Sequence, residues 1–113
     1  MLDKQDLLNK GFQYFSERDY DKAEFFFRKA LEMDECFEAA YSALSETLNR
    51  MERLDEAIRF VQKWIEYNCD NPNAHYTLSR LYVQKGMFTE AEQEMALSKR
   101  LSERSKMMND PNK

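Results

Sequence analysis

Turn residues are scarce in this chain, which has two glycines and two prolines among 113 residues. Strand-rich folds turn often and draw on those residues, so their scarcity argues against a sandwich or barrel. Cysteine is equally thin. Cys36 and Cys69 make no disulfide framework, and with the single histidine, His75, they supply no four-ligand zinc set. No Gly-rich phosphate loop is present. No apolar run approaches the roughly 20 residues that cross a bilayer. The first ten residues are charged and hold no apolar signal core. No membrane partner, no metal and no cofactor are expected, and a cytoplasmic location is.

What the chain does have is Phe, Tyr, Leu, Ala and Met interleaved with Lys, Arg, Asp and Glu, the material of amphipathic helices. Net charge is −4, unevenly spread. Residues 1–98 carry 12 basic and 19 acidic groups, whereas 99–113 carry 5 basic and 2 acidic. An acidic body repels phosphate backbones, which argues against nucleic acid as a partner. The basic end reads as a solvated helix terminus whose cations complement its dipole.

Self-similarity at a fixed period organises the rest. Ala23, Ala57 and Ala91 stand 34 residues apart. Tyr20, Leu54 and Phe88 precede them by three, and Phe27, Val61 and Met95 follow by four. Tyr14, Leu48 and Tyr82 form another column, and Gly11, Ser45 and Ser79 a column of small residues. A helical unit of this length is two antiparallel helices joined by a tight turn. One such pair cannot bury its apolar face alone, but stacked pairs share a continuous core. The small residues belong where helices cross closely, and bulk there costs about 1–3 kcal/mol.

These columns resemble the tetratricopeptide repeat. The resemblance falls on Leu7, Gly11, Tyr14, Ala23 and Phe27, then on Tyr41, Leu44, Leu48, Ala57 and Val61. In the third unit it falls on His75, Leu78, Tyr82, Ala91 and Met95. It covers residues 4 to about 105. No unit has the family's tryptophan, and Glu35, Cys69 and Glu103 stand where its late proline belongs. Trp64 occupies a column shared with Ala30 and Ser98. The resemblance implies an all-α, right-handed solenoid of three antiparallel helix pairs with an extended last helix. Its single domain would span 1–108, with repeats at about 4–37, 38–71 and 72–105 and a disordered tail at 109–113.

The punctuation predicts six helices, the first at Asp3–Ser16 and the second at Tyr20–Met33. The middle pair should run Cys36–Arg50 and Leu54–Asn68. Asn71 and Pro72 suit the cap and first position of the fifth, and Gly86 a left-handed stop after Lys85. Thr89 with Glu92 reads as a capping box for a last helix reaching about Met107, with Asn109, Asp110 and Pro111 ending it.

In this family the first helix of each pair lines the concave face. That implies a partner-binding groove formed by Leu8, Asn9, Phe12 and Phe15, then Ser42, Glu46 and Asn49, then Asn73, Tyr76, Thr77 and Arg80. Exposed aromatics beside polar groups suit a peptide or helix of another protein. Phe12 and Phe15 either meet that partner or pack between helices. The positions matching the family's carboxylate clamp are Leu8, Phe12, Ala43, Asn73 and Thr77. None is basic, so chaperone C-terminal tails are not an expected ligand.

Residues that suggest catalysis have plainer roles. Asp34–Glu35 and Asp55–Glu56 sit at turns and helix starts, where acids cap. His75 has no nucleophile at a motif spacing. Cys36 and Cys69 should lie too far apart to bridge and remain inert thiols. In Phe25–Phe26–Phe27, the last two should pack while at least one of the three stays exposed. The expected function is a protein-binding adaptor, a secretion-type chaperone being one special case, and not an enzyme. The alternative is a self-assembling unit. The last repeat has no separate capping helix, so a homodimer could use Leu97, Leu101 and the last helix.

Overall fold

Six helices follow one another in the computed structural model, which describes residues 2–67 and 71–108. They are α1 (Lys4–Ser16), α2 (Tyr20–Met33), α3 (Glu38–Arg50), α4 (Leu54–Glu66), α5 (Pro72–Lys85) and α6 (Phe88–Met108). Cys69, the expected end of α4 at Asn68, the Asn109–Pro111 stop and the tail lie outside the described residues. No described helix is long and apolar enough to cross a membrane. The helices pair as α1–α2, α3–α4 and α5–α6, and each pair stacks on the next. Helices α1, α3 and α5 also touch in sequence, so the odd helices form one layer with the even helices outside it.

The turns inside the three units are copies of one backbone shape. Arg18, Glu52 and Gly86 occupy one column, and all three are left-handed, with φ of 62°, 60° and 82°. In each, the next residue's N–H reaches back five positions: Asp19 to the Tyr14 carbonyl, Arg53 to Leu48 and Met87 to Tyr82, at 2.8–2.9 Å. The left-handed residue's own N–H bonds the carbonyl three positions back, at 3.0 Å each time. This double closure satisfies carbonyls that a helix end leaves without partners. Gly86 adopts the shape freely; Arg18 and Glu52 hold it against a steric cost of about 1 kcal/mol each.

The following helices open in register. The N–H groups of Ala23, Ala57 and Ala91 donate to the carbonyls of Asp19, Arg53 and Met87 at 3.0–3.1 Å. This corrects the expected start of α6. The repeat places its first helical acceptor at Met87, so Thr89 lies inside the first turn and cannot serve as the cap. The start of α3 is also corrected. Asp34 accepts from the Cys36 N–H through its side chain (3.0 Å) and from the Phe37 N–H through its carbonyl (3.1 Å). That turn holds Cys36 outside the helix. Nor is Cys36 the inert thiol expected, for it is disulfide-bonded. At α1, Asp3 is the cap itself, in a reciprocal capping box with Asp6.

Packing explains the small-residue columns. Gly11, Ser45 and Ser79 are buried, as are Ala23, Ala57 and Ala91. A Cβ at Gly11 would stand 2.3 Å from Phe27 Cε1, so the buried Phe27 ring requires glycine opposite it. Where the Phe27 column holds Val61 or Met95, serine fits instead, and Ser79 Oγ donates to the Ala91 carbonyl at 2.9 Å. Trp64 is fully buried, its ring stacked on Tyr41 at 5.2 Å, with no hydrogen-bond partner for Nε1 among the described residues. Phe26 stacks on Tyr14 at 5.5 Å, while Phe25 is exposed, as the triple-Phe pattern implies.

Ion pairs act both within units and between them. Lys4 meets Asp34 at 2.5 Å, and Lys85 pairs with Asp55. Arg53 bonds both Glu24 (2.7 Å) and Glu56 (2.5 Å), and Arg28 adds a second guanidinium on Glu24 at 2.6 Å. Burial pulls the Glu24 carboxyl pKa upward, but hydrogen bonds from Arg53 and Arg28 outweigh it and hold it below its ordinary value.

Candidate functional site

The odd-helix layer encloses a groove of about 330 Å³ between α3 and α5. Its walls are Ser42, Glu46 and Asn49 from α3 and Asn73, Tyr76, Thr77 and Arg80 from α5. These residues recur every three or four positions, which puts each set on one helix face. Buried Ser45 and Leu81 form part of the lining. Glu38 and Gln84 extend the same stripes by one turn. Sequence reasoning missed both, although continuing each stripe by four residues would have found them.

The groove's polar groups are partly committed. Glu38 accepts from the side-chain amides of Asn71 and Asn73, each at 2.5 Å. Asn71 in turn caps α5 by accepting from the Asn73 N–H at 2.8 Å. That network fixes Asn73 at one end. At the rim, Arg50 bonds Glu46 at 3.0 Å and lies over the Phe15 ring at 5.5 Å, and the Glu46 bond raises the Arg50 pKa. Arg80 is exposed and has no ion pair among the described residues. Tyr76 beside it is an exposed aromatic one turn away. An extended segment laid here would find a free guanidinium, an aromatic face and several amides.

The four candidates on α1 do not line that groove. Leu8 is 4% exposed and belongs to the core, because its position faces α2 and α3. Phe15 packs against the core and meets Tyr20 edge-on at 5.4 Å. Phe12 meets Phe27 edge-on at 5.2 Å yet stays about half exposed. Asn9 is exposed and accepts from Gln5 at 3.0 Å. In unit one, Phe12 and Asn9 are therefore exposed but are not part of the α3–α5 groove.

A second cleft, of about 440 Å³, lies on the outer side among Arg28, Leu31, Tyr41, Phe60, Lys63 and Tyr67. Its main cation is in use, since Arg28 is bonded to Glu24 and rests 4.4 Å over Phe60. Burial pushes the Tyr41 hydroxyl up to about 12, so it stays neutral. His75 Nδ1 lies 2.6 Å from Glu94 and joins α5 to α6. Among the described residues, no group of three or more His, Cys, Asp or Glu is placed to hold a metal.

Comparison with known proteins agrees with this architecture. Residues 16–96 match the family described as anaphase-promoting complex, cyclosome, subunit 3. No curated protein sequence matches the chain significantly. Among solved structures, the Yersinia enterocolitica type III secretion translocator chaperone SycD is 20% identical with a TM-score of 0.78, over 96% of this chain and 78% of that one. A further SycD structure, in complex with a peptide of the translocator YopD, is 20% identical with a TM-score of 0.74, over 96% and 79%. MamA is 19% identical with a TM-score of 0.80, and there the match covers 93% of this chain but 61% of MamA. At such identities the likeness establishes the shared helical-repeat fold.

Proposed function

We propose a function from one premise: the chain belongs to the tetratricopeptide-type repeat family described as anaphase-promoting complex, cyclosome, subunit 3. It is a protein-binding module that seats a peptide or helix of a partner in the groove between α3 and α5. One observation carries this reading. Eleven residues from two helices line a groove in which Arg80 and Tyr76 are exposed and Arg80 has no ion pair among the described residues. Arginine and aromatic anchors dominate binding energy at most interfaces. A solvated guanidinium beside an aromatic face favours a segment with one acidic and one apolar residue about a turn apart. SycD, which shares the fold, holds a peptide of YopD. The module is one domain over residues 1–108, its three repeats following the 34-residue period.

Selection of binding peptides from a random library tests the proposal. Peptides that bind the wild type should weaken about 30-fold against Arg80→Glu or Tyr76→Ala, a hot-spot loss of about 2 kcal/mol. Equal binding to both variants would place the working surface elsewhere.

A specific observation favours a second reading, self-assembly. Helix α6 touches α5 and no other described helix, so no described helix covers its outer side.

A further inference from the structure

Helix α6 is divided by charge. Glu90, Glu92 and Glu94 lie in its first half, and Lys99, Arg100, Arg104 and Lys106 in its second, with Glu103 the one acid among them. The helix dipole accounts for charges in the terminal turns of a helix. It does not account for Lys99 and Arg100 near the middle, and neither α1 nor α2 has a base in its last turn. Leu97, 37% exposed, stands between the charged halves, and the half-buried Leu101 stands within the basic one. Residues 90, 94, 97, 101 and 104 recur at spacings of four and three, the seam of a helix that packs along another helix. Their order is acid, acid, leucine, leucine, base, with Glu94 at the edge of the seam, where it also bonds His75 of α5. Glu90, Arg100 and Arg104 are exposed and have no ion pair among the described residues.

From this pattern we infer that α6 pairs antiparallel with α6 of a second copy, about a two-fold axis passing near Leu97 and Leu101. The inference rests on the self-assembly reading and is independent of the groove. A two-fold contact uses the same patch on both partners, so the patch must complement itself. An antiparallel crossing meets that demand: the acidic half of each helix lies along the basic half of the other, and the leucines meet at the centre. A parallel crossing would set acid on acid and base on base. A head-to-tail stack would leave the charge division unused and would not close. The helix is about 30 Å long, so the contact lies at the small end of stable interfaces and the dimer dissociates in the micromolar range. Its charge pairs are exposed, so salt weakens it.

Two exposed double variants make the test. Glu90→Lys with Gln93→Lys brings the first half from a net charge of −3 to zero, and Arg100→Glu with Arg104→Glu brings the second half from +3 to −1. None of the four residues is buried or bonds α5, so folding should be unaffected. Light scattering should give a dimer for wild type at low salt and for Tyr76→Glu. It should give monomers for each double variant and for Leu97→Glu, and a dimer again when the two double variants are mixed. A monomeric wild type would overturn self-assembly altogether. A wild-type dimer whose mixed variants stay monomeric, or whose single variants stay dimeric, would keep self-assembly and overturn the antiparallel pairing. Species that grow beyond a dimer would point to an open stack and also overturn it.

Discussion

Helices α3 and α6 differ both in pattern and in surroundings: α3 carries three charged residues among 13, and α6 eight among 21. α3 touches α1, α2, α4 and α5 and buries seven of its 13 residues. α6 is 21 residues long, touches α5, and buries Ala91 and Ser98. Place in the stack and local pattern together decide how much of a helix is removed from water. A central helix can be covered by both neighbouring pairs, whereas a terminal one is covered on one side.

The contrast has energetic consequences. Trp64→Ala, which empties the space against Tyr41 of α3, should cost about 3–5 kcal/mol in chemical denaturation. Leu97→Glu on α6 should change monomer stability by no more than about 0.5 kcal/mol. Comparable losses from the two would erase the distinction between core and end.

Next in size is Gly11→Ala, at about 1–3 kcal/mol. Adding Phe27→Val should recover part of that loss, because it removes the ring the new methyl would strike. Thermal melts of the single and double variants would show additive losses if the glycine matters for another reason.

Glu24→Gln comes third. Charge-assisted bonds are worth about 1.5–3 kcal/mol, but both arginines are about one-third exposed, which reduces the expected loss to about 1 kcal/mol. The sign with pH is fixed. The folded pKa lies below the ordinary 4.5, so the stabilisation is full above that value and disappears as pH falls through the lower folded one. Denaturation of wild type and variant should therefore converge in acid and stay apart at neutral pH.

The smallest effects lie in the turns flanking these helices. Glu52→Gly, in the turn closing α3, should stabilise by about 0.5 kcal/mol, because relief at positive φ exceeds the added chain entropy. Gly86→Glu, in the turn before α6, should destabilise. Equal responses at the two sites would mean that the shared backbone shape is not what limits them.

Much of this architecture was legible in the residues. The 34-residue columns located the pairs, and α2 and α5 begin and end where punctuation places them. The left-handed stop was legible at Gly86, where glycine announces it, but not at Arg18 and Glu52, where the fold imposes the shape on ordinary residues. Helix starts were misread where a local turn competed, as at Asp34, or where a capping pattern occurred one turn too late, as at Thr89. The resemblance to the repeat family pointed to Ser42, Glu46, Asn49, Asn73, Tyr76, Thr77 and Arg80, and these line the groove between α3 and α5. It could not tell Leu8 from a surface residue, because its burial in the shared core depends on how the helices stack.

Gly11 and Phe27 sit on the two helices of a single unit, and the other units carry serine opposite a smaller partner. Inheritance of such a pair depends on where the gene is cut. Duplicating a whole unit copies both members and keeps their fit. Recombination through the turn at residues 17–19 would join a serine-bearing first helix to a phenylalanine-bearing second one. The ancestral segment that can multiply is therefore the complete helix pair, and a half-unit is not a transferable part.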